Sequence, residues 1–196
     1  GVAAARGNNT IGGAGAAYEA SLAGIRLING ITPVADDVIA KAMAHSNEVI
    51  SIKNNSWGPT VPLIGPGQLT SLALAEGATH GRGGRGTIYV FAAGNEGEKG
   101  INANYSGFAN SIYTIAVGAV NMAGVKASYS NPGACLVVAA PSGERPIQSP
   151  NFLTWLTGIT TTDRASLVGY NSSHPLTAVA DLNDADYTRN FGGTSS

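Results

Sequence analysis

Apolar and polar residues fall into short blocks along the chain, and the period of those blocks changes repeatedly from strand-like to helix-like. The alanine-rich opening Gly1-Val2-Ala3-Ala4-Ala5 reads as helix and ends at the turn formers Gly7-Asn8-Asn9-Thr10. Leu22 to Ile28 is short and branched enough to predict a buried strand. Asp36 and Asp37 open a helix whose Val38, Ile39, Ala42 and Met43 share one face, with acids where a helix dipole favours them. Val49 to Ile52 predicts a second strand running into Asn54-Asn55-Ser56-Trp57-Gly58-Pro59, where glycine and proline stop it.

After a loop at Val61 to Gly67, Leu69, Leu72, Ala73 and Glu76 keep helical spacing until the glycines between Gly81 and Gly86 end it. Thr87 to Ala93 is almost wholly apolar, which predicts a central strand discharging into Gly94-Asn95-Glu96-Gly97. Ile112 to Val120 and Leu136 to Ala140 predict two more strands, the first followed by a turn at Asn121 to Gly124. Beyond Pro141 the pattern weakens. Thr157 to Asp163 reads as a strand of polar alternation, and Leu176 to Tyr187 as a surface excursion. Continuous apolar strands separated by helices predict an α/β three-layer sandwich, with a mostly parallel central sheet covered on both faces. No internal repeat or interdomain linker interrupts the chain, so one domain is expected. In such sheets ligands gather beyond the carboxyl ends of strands. Asn54 to Gly58 and Gly94 to Gly97 fall there, and Gly192 to Ser196 forms a third polar, turn-rich stretch at the tail.

Composition narrows the function classes. With 12% charged residues and a net charge of −1 over 196 residues, the chain has no basic field for nucleic acid or an anionic membrane. No apolar run approaches the ~18 to 20 residues of a membrane span. Gly13 to Tyr18 fails G-x-G-x-x-G and no P-loop lysine pattern occurs, which leaves a nucleotide-binding α/β domain as a remote alternative. The single Cys135 has no disulfide partner and no companions at metal-ligand spacing. The chain lacks an initiator methionine, as a processed or excised piece would. In Phe191-Gly192-Gly193-Thr194-Ser195-Ser196 a serine sits on a glycine-flanked turn, which is either a polar tail or an exposed nucleophile.

Four stretches in order resolve that choice. Ser56-Trp57-Gly58-Pro59, Ala92-Ala93-Gly94-Asn95, Asn110-Ser111-Ile112-Tyr113-Thr114 and Gly193-Thr194-Ser195 resemble successive signatures of the subtilisin-like serine proteases, specifically their kexin/furin-like branch. The resemblance implies a subtilisin-like fold and a secreted endopeptidase, extracellular or periplasmic. Ser195 matches the nucleophile of the family's G-T-S-x-A motif, Asn95 its oxyanion-hole asparagine, and Ser56-Trp57-Gly58 the strand that pairs with peptide substrate. A serine hydroxyl needs an exposed setting and a base, and a carboxamide NH2 can donate to a developing oxyanion. For Asn95 a plain turn role stands beside this reading, for Ser56 to Gly58 an ordinary strand end, and for Trp57 a core role.

The resemblance also predicts departures. The family's base lies in an H-G-T-x-x-A stretch expected upstream of Gly1, with its orienting aspartate earlier still, and His45, His80 and His174 lack that context. The chain by itself is therefore expected to be inactive, an incomplete peptidase domain that also lacks the helix behind the nucleophile. A propeptide or companion polypeptide would carry the missing Asp and His; a catalytically dead peptide-binding relative is the alternative. Where the branch places acids around the substrate pocket, this chain has Val61, Ile101 and Ser106, so an apolar or broad preference before the scissile bond is expected in a pocket without carboxylates. Asn131 stands where the branch has a glutamate, which removes the basis for its calcium site near the pocket. A second calcium loop matches at Ala5, Asn9, Ile11 and Gly13, although the aspartate that completes it is not present.

Overall fold

The computed structural model describes residues 1–28, 30, 33–59, 61–144, 158–171 and 181–196. Helix α1 spans Asp36–Ala44, strand β1 Ile52–Asn55, helix α2 Gln68–Gly84, β2 Ile88–Ala92, β3 Thr114–Val120 and β4 Leu136–Pro141. These four strands form one sheet in the order β1-β2-β3-β4, every pair parallel. Strands β5 (Ile159–Thr162) and β6 (Tyr187–Phe191) make a separate antiparallel pair just before the carboxyl-terminal turn.

The β2 strand is central, as its apolar run predicts, and its alternation decides what covers the sheet. Tyr89 and Phe91 are each 1% exposed and face Ala42 and Met43 of α1, Leu74 of α2, and Phe108. Burying each ring contributes roughly 1.5–3 kcal/mol. On the opposite face Ile88 is exposed and Val90 half-exposed, so the described residues supply the sheet and one helical layer of the sandwich.

The two helices are tied by one carboxylate. Asp36 begins α1, yet its side chain accepts from the backbone N–H groups of Leu69 and Thr70 at 2.9 and 3.1 Å, and from the Thr70 hydroxyl at 2.6 Å. It thereby satisfies donors at the start of α2 that have no intrahelical partner. The Thr70 hydroxyl bond, with those backbone bonds, holds the Asp36 carboxyl below its ordinary pKa despite partial desolvation. At the other end, α2 breaks at Gly81, whose ψ is 151°, and Arg82 and Gly83 follow with φ of 53° and 66°. The glycine run thus ends the helix where the sequence places its stop.

Lys53 in β1 joins α1 to the sheet. Its buried ammonium donates to the carbonyls of Ala42, Met43 and His45 at 3.2, 2.7 and 2.7 Å, the unpaired carboxyl end of the helix. Desolvation lowers its pKa to about 8, opposed by the charge of Glu48.

Several expected elements differ. The alanine-rich opening forms turns instead of helix: five residues do not nucleate one, and its carbonyls at Val2, Ala3 and Ala5 accept from Ala16, Ala17 and Gly15. Leu22 to Ile28 has no regular secondary structure and joins no ladder among the described residues, and Leu22 stays 75% exposed. Apolar sequence alone does not make a strand when its backbone has no partner. The β1 strand begins at Ile52 rather than Val49, because Val49 and Ile50 fold back to the Ser46 carbonyl while the register with β2 uses Asn54 and Asn55. Residue 157 of the expected polar strand and residues 176–180 of the expected excursion lie outside the described residues.

Candidate active site

The carboxyl ends of β1 and β2 open toward the same side as the turn after β6, and a cleft of about 210 Å³ lies between them. Its walls include Ser56, Trp57, Gly58 and Val61 after β1, Asn95 after β2, Ile101 and Ser106 beyond that turn, and Ser195 at the end of the chain. Every substrate-binding and catalytic residue proposed from sequence therefore meets in one cleft, although they are up to 139 positions apart.

Hydrogen bonds interlock the three segments. The Thr194 backbone N–H donates to Asn95 Oδ1 at 2.8 Å, and the Thr194 hydroxyl contacts the same oxygen at 3.1 Å. The Gly94 N–H donates to Thr194 Oγ1 at 3.1 Å. A backbone N–H only donates, so the Asn95 carboxamide must turn its oxygen to Thr194, leaving Nδ2 as the donor end. From the other side Ser56 Oγ donates to the Ser195 carbonyl at 2.8 Å, and Ser195 Oγ donates to the Ser56 carbonyl at 3.5 Å.

Two glycines permit this approach. Gly193 has φ of 92°, and a Cβ there would stand 3.3 Å from Asn95 Nδ2. Gly94 has φ of 105°, and a Cβ there would collide with the Asn131 side chain. Both positions need a residue without a side chain. The Gly193 turn is further fixed by Ser142, whose Oγ donates to the Gly193 carbonyl at 2.9 Å and lies 2.8 Å from the hydroxyl of buried Tyr129.

Trp57 serves two ends. Its ring packs edge-on against Phe91 and Phe108, with centroids 5.5 and 5.3 Å away, while its Nε1 donates to Asn55 Oδ1 at 3.2 Å. It is the core aromatic the sequence allowed and a cleft wall at once. Gly58 faces open space, with nothing within 4 Å of where a Cβ would lie.

The expectation of a pocket without carboxylates is corrected by Glu96. This residue lines the cleft, and its Oε2 accepts from the Asn95 N–H at 2.9 Å and from Asn131 Nδ2 at 3.4 Å. Its position directly after the proposed oxyanion asparagine was the available signal. Tyr129 and Ser142 were missed as parts of the site, and Thr194 and Asn131 were noted only as a motif position and a calcium-site position, since their contacts are distant in sequence.

No histidine lines the cleft among the described residues. His45 follows α1 and gives its carbonyl to Lys53, His80 is exposed beside Glu76 at 3.0 Å, and His174 lies outside the described residues. Burial pushes the Cys135 thiol pKa up, away from a ready thiolate.

The proposed calcium loop lies apart from the cleft. Asn9 Oδ1 accepts from the Ile11 N–H at 3.1 Å, and the Ala5 carbonyl accepts from Gly15 at 2.8 Å. Asn9, Ile11 and Gly13 are exposed, and among the described residues no three His, Cys, Asp or Glu side chains cluster for a metal. The loop offers neutral oxygens, two already engaged, and no carboxylate to balance a divalent ion. These residues do not by themselves fit a closed calcium site.

The Subtilase family model matches residues 1–196. The chain is 42% identical over 115 residues to Furin-like protease 1, isoform 1-CRR, of Drosophila melanogaster, which covers 57% of this chain and 10% of that protein. To Kexin of Saccharomyces cerevisiae it is 42% identical over 114 residues, 57% of this chain and 14% of that one. To human (Homo sapiens) Neuroendocrine convertase 2 it is 40% identical over 116 residues, 57% and 18% respectively. The match thus spans less than a fifth of each relative's length. The complex of Aeromonas sobria serine protease with its chaperone ORF2 superposes with a TM-score of 0.80 at 22% identity, over 100% of this chain and 36% of that one, which establishes the subtilisin-like fold. A protease from Pseudoalteromonas arctica gives 0.69 at 25% identity, over 100% and 52%.

Proposed function

The chain belongs to the subtilase family, and from that premise we propose that it forms the nucleophile and oxyanion side of a serine endopeptidase site. The observation that carries the reading is the bonding of Thr194, next to Ser195, to the oxygen of the Asn95 carboxamide, with the Asn95 NH2 left to donate.

In this reading an extended peptide lies along Ser56, Trp57 and Gly58, where the open space above Gly58 admits its backbone as an added strand. Ser195 Oγ attacks the scissile carbonyl carbon. The new C–O bond forms as the carbonyl π pair moves onto oxygen, and Asn95 Nδ2 stabilises that charge. Collapse expels the amine, which takes the proton originally on Ser195, and water then releases the acyl group. The step needs a base to carry the proton and a carboxylate to orient that base, and among the described residues no histidine lines the cleft. A companion polypeptide is compatible with the Aeromonas sobria protease, whose structure is of a complex with a chaperone.

Val61, Ile101 and Ser106 bring no charge to the cleft wall, and the carboxylate that does line it, Glu96, has its Oε2 bonded to the Asn95 N–H and Asn131 Nδ2. The expected preference at the residue before the scissile bond is apolar or broad. Subtilases commonly bind calcium. For this chain Ala5, Asn9, Ile11 and Gly13 would contribute a partial, neutral shell that requires a carboxylate from elsewhere. Location outside the cytoplasm, extracellular or periplasmic, follows the secretory or compartment character of its homologues. No helix among the described residues is long and apolar enough to cross a membrane.

The test is hydrolysis of matched Arg and Phe or Leu peptide anilides by the full-length protein and its Ser195→Ala variant. The proposal expects turnover that falls by roughly 10⁶ in the variant. Unchanged turnover refutes the nucleophile, and a strong Arg advantage refutes the expected preference. Binding without turnover in the parent identifies the dead peptide-binding relative.

A further inference from the structure

The turn bearing Asn95 is unusual in how completely one distant side chain closes it. Asn131 comes from the connection between β3 and β4, and only 4% of it is exposed. Its backbone N–H donates to the Gly94 carbonyl at 3.1 Å. Its Oδ1 accepts from the Glu96 N–H at 2.8 Å, and its Nδ2 reaches Glu96 Oε2 at 3.4 Å. Glu96 Oε2 in turn accepts the Asn95 N–H at 2.9 Å. Both neighbours of Asn95 are thus bonded to Asn131, and Asn95's own N–H is closed by a carboxylate that Asn131 also contacts.

The backbone here needs holding. Gly94 has φ of 105°, a conformation that only glycine adopts freely, and the Asn131 carboxamide fills the space beside its Cα. A glycine in that state has many alternatives, and a freed turn would let the Asn95 donor drift. Oxyanion stabilisation depends on a donor fixed before the charge develops, and displacement by about 1 Å costs on the order of 100-fold in rate.

We propose that Asn131 is a positioning residue that sets the Asn95 carboxamide toward the oxyanion by fixing Gly94 and Glu96 on either side of it. Asn131 also lines the cleft, but its backbone N–H, Oδ1 and Nδ2 all bond the turn, so the role assigned to it is through Asn95. This rests on the oxyanion reading of Asn95 given above, and a double-mutant cycle in the full-length peptidase separates the two.

Asn131→Ala is expected to lower kcat by about 10- to 100-fold with KM changed less than about threefold. In an Asn95→Ala background, where no donor remains to be aimed, the same change lowers kcat by less than about threefold. A general loss of structure would lower kcat similarly in both backgrounds, and that result overturns the positioning role. So does a loss confined to KM. If Asn131→Ala does not fold, Asn131→Ser carries the same cycle, since it removes the carboxamide without placing a second negative charge beside Glu96 Oε2. If Asn95→Ala alone leaves kcat unchanged, or the parent does not hydrolyse amides, the oxyanion reading falls and this inference falls with it.

Discussion

Asparagines in two regions of the molecule do different physical work. In the cleft, Asn95 and Asn131 bind backbone groups from segments roughly 100 and 35 positions away, and both stand beside glycines with positive φ. In the opening segment, Asn9 bonds the backbone two residues on and is exposed. The first arrangement fixes side chains against each other in residues that line a cleft. The second is a self-contained turn whose oxygen is already used. On the proposed reading, residues matched to a family motif carry chemistry only where distant partners hold them, and the contrast is open to direct attack.

The largest effect belongs to the cleft. Asn95→Ala should lower kcat by about 10² to 10³ with little change in KM, the magnitude found when the equivalent donor is removed from a subtilisin. Steady-state kinetics on the full-length protein checks it, and a KM effect alone would make Asn95 a binding residue.

Gly94→Ala should lower unfolding free energy by about 1–3 kcal/mol, from its left-handed backbone and the collision with Asn131. Urea unfolding reads this, and an unperturbed midpoint would mean the turn is not locked.

Lys53 supplies a pH-dependent case outside both regions. Its pKa is about 8 in the fold, against roughly 10.4 for an unfolded lysine. Between these values the unfolded chain binds more protons, so the stability due to Lys53 is present above pH ~10.4 and is lost as pH falls through about 8. Relative to Lys53→Met, the parent should gain on the order of 1 kcal/mol between pH 8 and 10, once solvent screening is allowed for. A parallel pair of curves would show that the three carbonyls hold the ammonium without desolvation cost.

The smallest effect is expected in the opening segment. Asn9→Ala should change stability by less than about 0.5 kcal/mol, with or without calcium. A calcium-dependent fall in melting temperature specific to the variant would show that this loop is a metal site.

How far the sequence was legible follows the same division. The central strand, both helices and the glycine stop of α2 were readable because each is written in local period and local breakers. Ser56, Trp57, Gly58, Asn95 and Ser195 came from ordered motifs, and Val61, Ile101 and Ser106 from the branch's pocket positions; all of them line one cleft. Leu22 to Ile28 misled because apolar content signals burial, whereas a strand needs a neighbour to take its hydrogen bonds. Lys53, Asn54 and Asn55 look unlike strand, yet a helix end takes the Lys53 ammonium, Ser56 Oγ the Asn54 carboxamide and the β2 backbone the Asn55 carboxamide. Glu96 escaped, and Asn131 was read only as a lost calcium ligand, because their contact with each other spans 35 positions.

The central claim is that Ser195 is a nucleophile facing the donor end of Asn95. Reaction of the full-length protein with a fluorophosphonate, followed by peptide mass mapping, tests it most directly. The account predicts one adduct, on Ser195, formed far more slowly in the Asn95→Ala variant. A folded parent protein left unlabelled, or labelled at another residue, would contradict it.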